Sequence, residues 1–310
     1  MIDDGASAST CRKQMKYVSY VTSETTDVLV GRLDGTDVID LGFDGDMVSF
    51  IASGAPQGHE RLVPNAQLVA PLRPPVLRDF LTFEGHLRNA FAGLGKDIPD
   101  EWFTVPAYYK GIPSTVIGPD TVIPWPSYSD RLDHELEIAA IIGRPGRNIS
   151  AAEGLDHVFG FTLWNDFSAR DVQTRELPVG MGPAKAKDWD GSNILGPYIV
   201  TVDEVDAGQI EAEVVVNGQR WGADSTANMR FSFGELIAYA SRDQTLHPGE
   251  ILGSGTMAGG SGIELDRWLQ PGDLIELRSP QLGVLTNTVG AKPSGTPVPI
   301  EVVRDRSAPA

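Results

Sequence analysis

Leu132-Asp133-His134-Glu135-Leu136-Glu137-Ile138-Ala139-Ala140-Ile141-Ile142 places two glutamates two residues apart at the head of an apolar run. Residues 135–142 read as one strand. Alternate side chains of a strand share a face, so Glu135 and Glu137 leave the same side, roughly 6.5–7 Å apart. Their face continues with Ala139 and Ile141, while Leu136, Ile138, Ala140 and Ile142 line the other. A strand apolar on both faces is buried, and charges at its mouth need a partner. The bland alternative is the solvated face of a half-buried strand. Glu211 and Glu213 repeat the spacing elsewhere and receive no role.

Around this run the chain is rich in strand signals. Residues 158–164 (Val-Phe-Gly-Phe-Thr-Leu-Trp) form a second near-continuous apolar run, 211–216 a third that ends at the hairpin signal Asn217-Gly218, and 274–278 a fourth. Helical periodicity is confined to about 82–92, 168–175 and 233–241. The reading is a strand-rich α+β chain without internal repeats. Residues 1–15 read as a disordered lead-in, and 16–70 as a small, mostly β N-terminal domain with Gly-Asp turns at 34–35 and 44–46. The linker Ala70-Pro71-Leu72-Arg73-Pro74-Pro75 opens a catalytic domain over 71–303, and 304–310 forms a tail.

Composition narrows the function. The 310 residues carry 25 Lys and Arg against 42 Asp and Glu, a net charge of −17. Long-range repulsion opposes nucleic acid and anionic membrane surfaces, but not small anions, which respond to local charge. Cys11 is the only cysteine, which excludes an intrachain disulfide and a thiolate cage for zinc. The segment ending at Cys11 lacks the basic start and apolar stretch of a lipoprotein signal, and no apolar run approaches ~18 residues. A soluble, cytoplasmic protein is expected.

Two more carboxylates have two readings each. Asp166 follows the 158–164 run and either caps the next helix, as Asn165 also could, or ligates a metal; Asp79 either caps the helix containing His86 or is a ligand. Were Asp79, Glu135, Glu137 and Asp166 to converge, their repulsion would demand a hard divalent cation. All-oxygen ligation favours Mg²⁺, with Mn²⁺ or Ca²⁺ as alternatives, over Zn²⁺.

Several motifs occur in a specific order: Arg78-Asp79-Phe80, His86-Leu87-Arg88-Asn89, Pro106-Ala107-Tyr108-Tyr109-Lys110-Gly111, the Leu132–Glu137 run, Trp164-Asn165-Asp166-Phe167-Ser168-Ala169-Arg170-Asp171-Val172-Gln173, Lys187, and Gly253-Ser254-Gly255-Thr256. Over residues 76–290 this series resembles the fumarylacetoacetate hydrolase family. The resemblance implies a mixed β-roll catalytic domain behind a smaller N-terminal one, usually in a homodimer. It implies metal ligands at Asp79, Glu135, Glu137 and Asp166, a general base at His86, and substrate contacts at Tyr109, Gln173, Lys187 and Thr256. Three departures stand out. Leu177 occupies the position of a substrate-contacting tyrosine, so the substrate's tail differs. The glutamate orienting the base has two candidates, Glu84 and Glu264, and Asn89 stands where small acylpyruvate hydrolases carry an acid. The 188–193 segment is also unusual.

An isolated histidine is more often structural, and His59, His134, His157 and His247 take that reading; His134 should point away from the two glutamates. His86 lies among Gly85, Gly93 and Gly95 in a segment able to act as a lid, and an imidazole titrating near ~6.5 suits proton abstraction from water. Lys187, with Lys185 as its near double, is a surface lysine or a stabiliser of enolate charge. Gly253–Ala258 fits a dinucleotide G-x-G-x-x-A pattern, but glycines rather than a helix follow, so a pocket wall is expected. The expected activity is metal-dependent hydrolysis of a C–C bond in a small diketo or oxo acid. Decarboxylation, tautomerisation or hydration on the same fold, or a silent binding protein, are its rivals.

Overall fold

The computed structural model describes residues 15–92 and 97–294. Most of the expected lead-in, the tail from Arg304, and the two glycines Gly93 and Gly95 lie outside the described residues. Where the expected strands are described they form, at 158–166, 211–216 and 274–279. The three expected helices are Glu84–Ala92, Arg170–Glu176 and Phe233–Ala240. A fourth, Met47–Ala52, is too short for periodicity to reveal; Asp46 caps it by accepting from Ser49 N.

Two main sheets organise the chain. The larger has twelve strands. Its main path runs Arg61–Val63, Asp37–Asp40, Thr25–Asp34, Lys16–Thr22, Asn193–Thr201, Val158–Asp166, Leu136–Ile142, Ile251–Gly253, Leu77–Phe80, Tyr108–Gly111. Lys16–Thr22 pairs antiparallel with Asn193–Thr201, with Tyr17 opposite Ile199, so the N-terminal strands extend the sheet that carries the carboxylates. The 70–75 stretch is packed rather than free: Leu72 is buried and Ser19 Oγ donates to Pro71 O at 2.6 Å. The second sheet has five strands, ordered Gln219–Ser225, Glu211–Val216, Leu274–Ser279, Gly283–Val289, Val122–Ile123.

The core fills the space between the sheets. All seven residues of Leu136–Ile142 are buried, as the doubly apolar pattern demands. Leu136, Ile138, Ala140 and Ile142 join the cluster that includes Phe161, Val214, Leu277 and Leu236, whereas Ala139 and Ile141 pack on the opposite side with Trp164 and Ile251. Each such large apolar side chain contributes on the order of 1.5–3 kcal/mol by leaving water. The helix Phe233–Ala240 closes one side of this core, held at its start by a Ser232/Glu235 capping box and by Phe233 against Phe161 at 5.2 Å.

The strand expected over 135–142 forms at Leu136–Ile142, and Glu135 directly before it is held in a bridge to Ser261. Asp166 N donates to Glu135 O at 3.2 Å, and Asn165 Oδ1 accepts from Glu135 N at 3.1 Å. Glu135 is thereby held beside the strand that carries Glu137.

Candidate metal centre and active site

Three strands, and the residue just before one of them, aim carboxylates at one point. Asp79 lies in Leu77–Phe80, Glu137 in Leu136–Ile142, Asp166 at the end of Val158–Asp166, and Glu135 directly before Leu136. One oxygen from each lies within 4.8 Å of the others, and all four residues are buried. Asp79 is thus a strand residue, and the helix after Asp166 starts from Ala169 without a side-chain cap, so the capping alternatives are not realised.

The approach of Asp79 to Glu137 depends on the strand between them. Gly253 pairs with Asp79 on one side and Ala139 on the other. Two strands apart, side chains start about 9.5 Å from each other. They meet because Gly253 has no Cβ: one placed there would stand 2.8 Å from both Asp79 Oδ1 and Glu137 Oε2 and would collide with Trp164.

Cations on the chain balance part of this charge. Lys187 Nζ lies 2.5 Å from Glu135 Oε2 and also bonds Asp166 Oδ2. Arg170 Nη2 lies 2.7 Å from Glu135 Oε1. Glu135 therefore sits well below the usual carboxylate range: burial raises it, but Lys187 and Arg170 together prevail. The other three move up. Burial and the nearby Asp166 charge push Asp79 up to about 8, burial and Asp79 carry Glu137 well above its usual value, and burial outweighs Lys187 at Asp166.

Four buried oxygens in this cluster meet no donor among the described residues: Asp79 Oδ1, Glu137 Oε1 and Oε2, and Asp166 Oδ1. A buried acceptor without a donor costs roughly 1–3 kcal/mol, more when charged. A hard cation removes both this cost and the repulsion, so the oxygen donor set fits Mg²⁺, Mn²⁺ or Ca²⁺.

The other expected site residues gather at this centre in varying degree. Tyr109, in the strand Tyr108–Gly111, donates its hydroxyl to Asp166 Oδ2 at 2.6 Å. Lys187 is buried, whereas Lys185 bonds Asp188 O at the surface, which separates the two lysines. Gln173 Oε1 accepts from Arg170 Nη1 at 2.8 Å, and Thr256 is buried three residues past Gly253. His86 Nδ1 lies 2.8 Å from Glu264 Oε1, whereas Glu84 pairs with Arg88; of the two candidate glutamates, Glu264 is the one that meets the imidazole. His86 lies near enough to influence the Glu135 carboxylate. His134 points elsewhere, buried with its ring 5.4 Å from Trp221.

Sequence reasoning placed Asp133 and Arg170 in motifs and Gly253 in a pocket wall but gave them no part in the carboxylate cluster, and it did not single out Ser261. Asp133 Oδ2 accepts from Arg170 Nε at 2.7 Å, and Asp133 also accepts from Gly262 N and Ile263 N at 2.7 and 3.1 Å. Asp133 continues the alternation of Glu135 and Glu137 by two more residues, a signal present in the sequence. Arg170 and Gly253 were visible only as members of their motifs, and Ser261 carried no local sign.

A strand-rich α+β protein with a buried carboxylate cluster able to hold a cation is the class that fold and cluster define. Residues 75–290 match the family described as fumarylacetoacetate (FAA) hydrolase C-terminal, and the chain belongs to this family. Its enzymes depend on divalent metals. An uncharacterized protein from Pyrococcus abyssi is 36% identical over 65% of this chain and 85% of its own length. Oxaloacetate tautomerase YisK of Bacillus subtilis is 34% identical over 64% of this chain; the match spans 64% of that protein. Among solved structures, a fumarylacetoacetate hydrolase from psychrophilic Exiguobacterium antarcticum superposes with a TM-score of 0.76 at 27% identity, covering 89% of this chain and 99% of that one. A 5-carboxymethyl-2-hydroxymuconate delta-isomerase from Mycobacterium smegmatis does so with a TM-score of 0.73 at 25% identity, covering 90% and 100%.

Proposed function

We propose that this chain is a divalent-metal-dependent hydrolase that cleaves a carbon–carbon bond of a small diketo or oxo acid. The observation that carries this reading is the pairing of a donor-starved carboxylate cluster with a His–Glu couple at its side. Asp79, Glu135, Glu137 and Asp166 would hold the ion. When bound, the cation supplies Lewis-acid polarisation of the substrate carbonyl and stabilises negative charge that develops there.

The chain's own groups do the rest. Glu264, on His86 Nδ1, orients the imidazole so that its other nitrogen takes a proton from water. The hydroxide adds to the carbonyl, the adduct collapses, and the leaving carbon departs as an enolate. Lys187 keeps its ammonium protonated: burial disfavours the charge, but Asp166 and Glu135 outweigh burial. Its positive charge favours the enolate oxygen. The net charge of −17 supports a small-molecule partner over nucleic acid or an anionic membrane, and family expectation supports a cytoplasmic homodimer.

Similarity to oxaloacetate tautomerase YisK favours a second reading, enol–keto conversion of an oxo acid. Both reactions form an enolate, but only hydrolysis consumes water. Incubation with Mg²⁺ and an acylpyruvate in ¹⁸O-water tests the choice. Hydrolysis yields a carboxylate carrying ¹⁸O and pyruvate in equal amounts; loss of the enol absorbance without cleavage products would replace the first reading by the second.

A further inference from the structure

We infer that Asn89 is a positioning residue for the base: it completes the donor shell of Glu264 and thereby holds His86 in the Nδ1–H tautomer. The inference deepens the proposed function and rests on His86 being that base.

The Glu264 carboxylate receives four donors. His86 Nδ1 and Ser261 Oγ lie 2.8 and 2.9 Å from Oε1; Asn89 Nδ2 and Gly259 N lie 2.9 and 2.7 Å from Oε2. A carboxylate offers about four lone-pair sites, so this one is saturated. A saturated, acceptor-only group cannot also take a proton from water, which leaves that task to the imidazole. It also requires a hydrogen on His86 Nδ1, and a neutral ring then keeps its lone pair on Nε2. Consistent with this, Glu264 lies below the usual carboxylate range: burial raises it, and the bonds from His86 and Asn89 bring it down.

Geometry explains why Asn89 is the member that matters. His86 and Asn89 are three residues apart on Glu84–Ala92, so they share one helix face and reach one carboxylate. Two contacts from one helix, one to each oxygen, fix the carboxylate's orientation relative to that helix; Ser261 and Gly259 fix it only relative to its own segment. The remaining donors belong to the segment carrying Glu264, and Ser261 bridges Glu135. The base is thereby registered to a carboxylate of the cation site through Glu264. Asn89 itself is exposed, so replacing it removes an amide without opening the core.

The test is ¹⁵N NMR of the five histidines in the full-length metal-free chain, with steady-state kinetics alongside. Wild type should show His86 with a protonated Nδ1 and a pyridine-like Nε2. Asn89→Ala should populate both tautomers and lower kcat about tenfold with KM little changed. Asn89→Asp should lower kcat further, by about a hundredfold, because a second carboxylate repels the first. A purely structural contact would make the two variants alike. A single unchanged tautomer in Asn89→Ala with kcat within about twofold of wild type would overturn the inference, as would an Nε2–H ring in wild type. The NMR readout needs no substrate, so failure of the proposed reaction is distinguishable from failure of this assignment.

Discussion

His86 and Glu264 stand 178 positions apart in the chain, yet their side chains meet at 2.8 Å. The helix Glu84–Ala92 brings the imidazole, and the turn Gly262–Glu264 brings the carboxylate. The contact takes up one ring nitrogen and sets the imidazole apart from the four clustered carboxylates, as the proposed base requires.

Removing that base should separate chemistry from cation binding. His86→Ala is expected to lower kcat by a factor of about 10²–10⁴, the usual range for a general base. Mn²⁺ affinity, measured by calorimetry, should stay near wild type. An unchanged kcat would refute the base assignment.

Filling the cradle should do the reverse. Gly253→Ala adds a methyl 2.8 Å from Asp79 Oδ1 and Glu137 Oε2, so the two carboxylates must separate. We expect Mn²⁺ affinity to drop at least tenfold, about the cost of disturbing groups that orient ligands. Equal metal content after dialysis in variant and wild type would count against the four-carboxylate site.

The raised carboxyls link metal binding to pH. Asp79 reaches about 8, and Glu137 and Asp166 also move up, through burial and mutual charge. A folded-state pKa above the unfolded one (roughly 4 for a carboxyl) stabilises below the unfolded value, and the gain is lost as pH climbs through the folded value. Metal-free protein should therefore lose thermal stability between about pH 5 and pH 8. Glu135, held down chiefly by Lys187 and Arg170 against burial, works oppositely and loses its contribution only in acid. The Tm increment from saturating Mg²⁺ should grow over the same window, since binding displaces protons. A pH-independent increment in calorimetric scans would contradict these shifts.

Far from the site, Ser232 and Glu235 bond each other's backbone at the start of Phe233–Ala240. Ser232→Ala should cost about 1 kcal/mol by denaturant unfolding, and kcat should not change. Loss of activity in this variant would show that the helix affects more than the core.

Much of the architecture was legible because it follows from local pattern. Alternation and apolar runs read 158–164, 211–216 and 274–278 as strands, which form at 158–166, 211–216 and 274–279, and helical periodicity located three helices. The bond from Glu135 N to Asn165 Oδ1 was not legible, because it joins residues thirty positions apart.

The sequence by itself determined which residue types stood at the ends of buried strands, and through an ordered series of motifs it pointed to the right family. Convergence was decided by tertiary structure alone. Asp79 and Glu137 meet over Gly253 because strands distant in the chain lie side by side, and Glu264 rather than Glu84 reaches His86 because a remote turn packs against its helix. Periodicity reports which way a side chain points along its own segment; which segments become neighbours is set by the burial and hydrogen bonding of the whole chain.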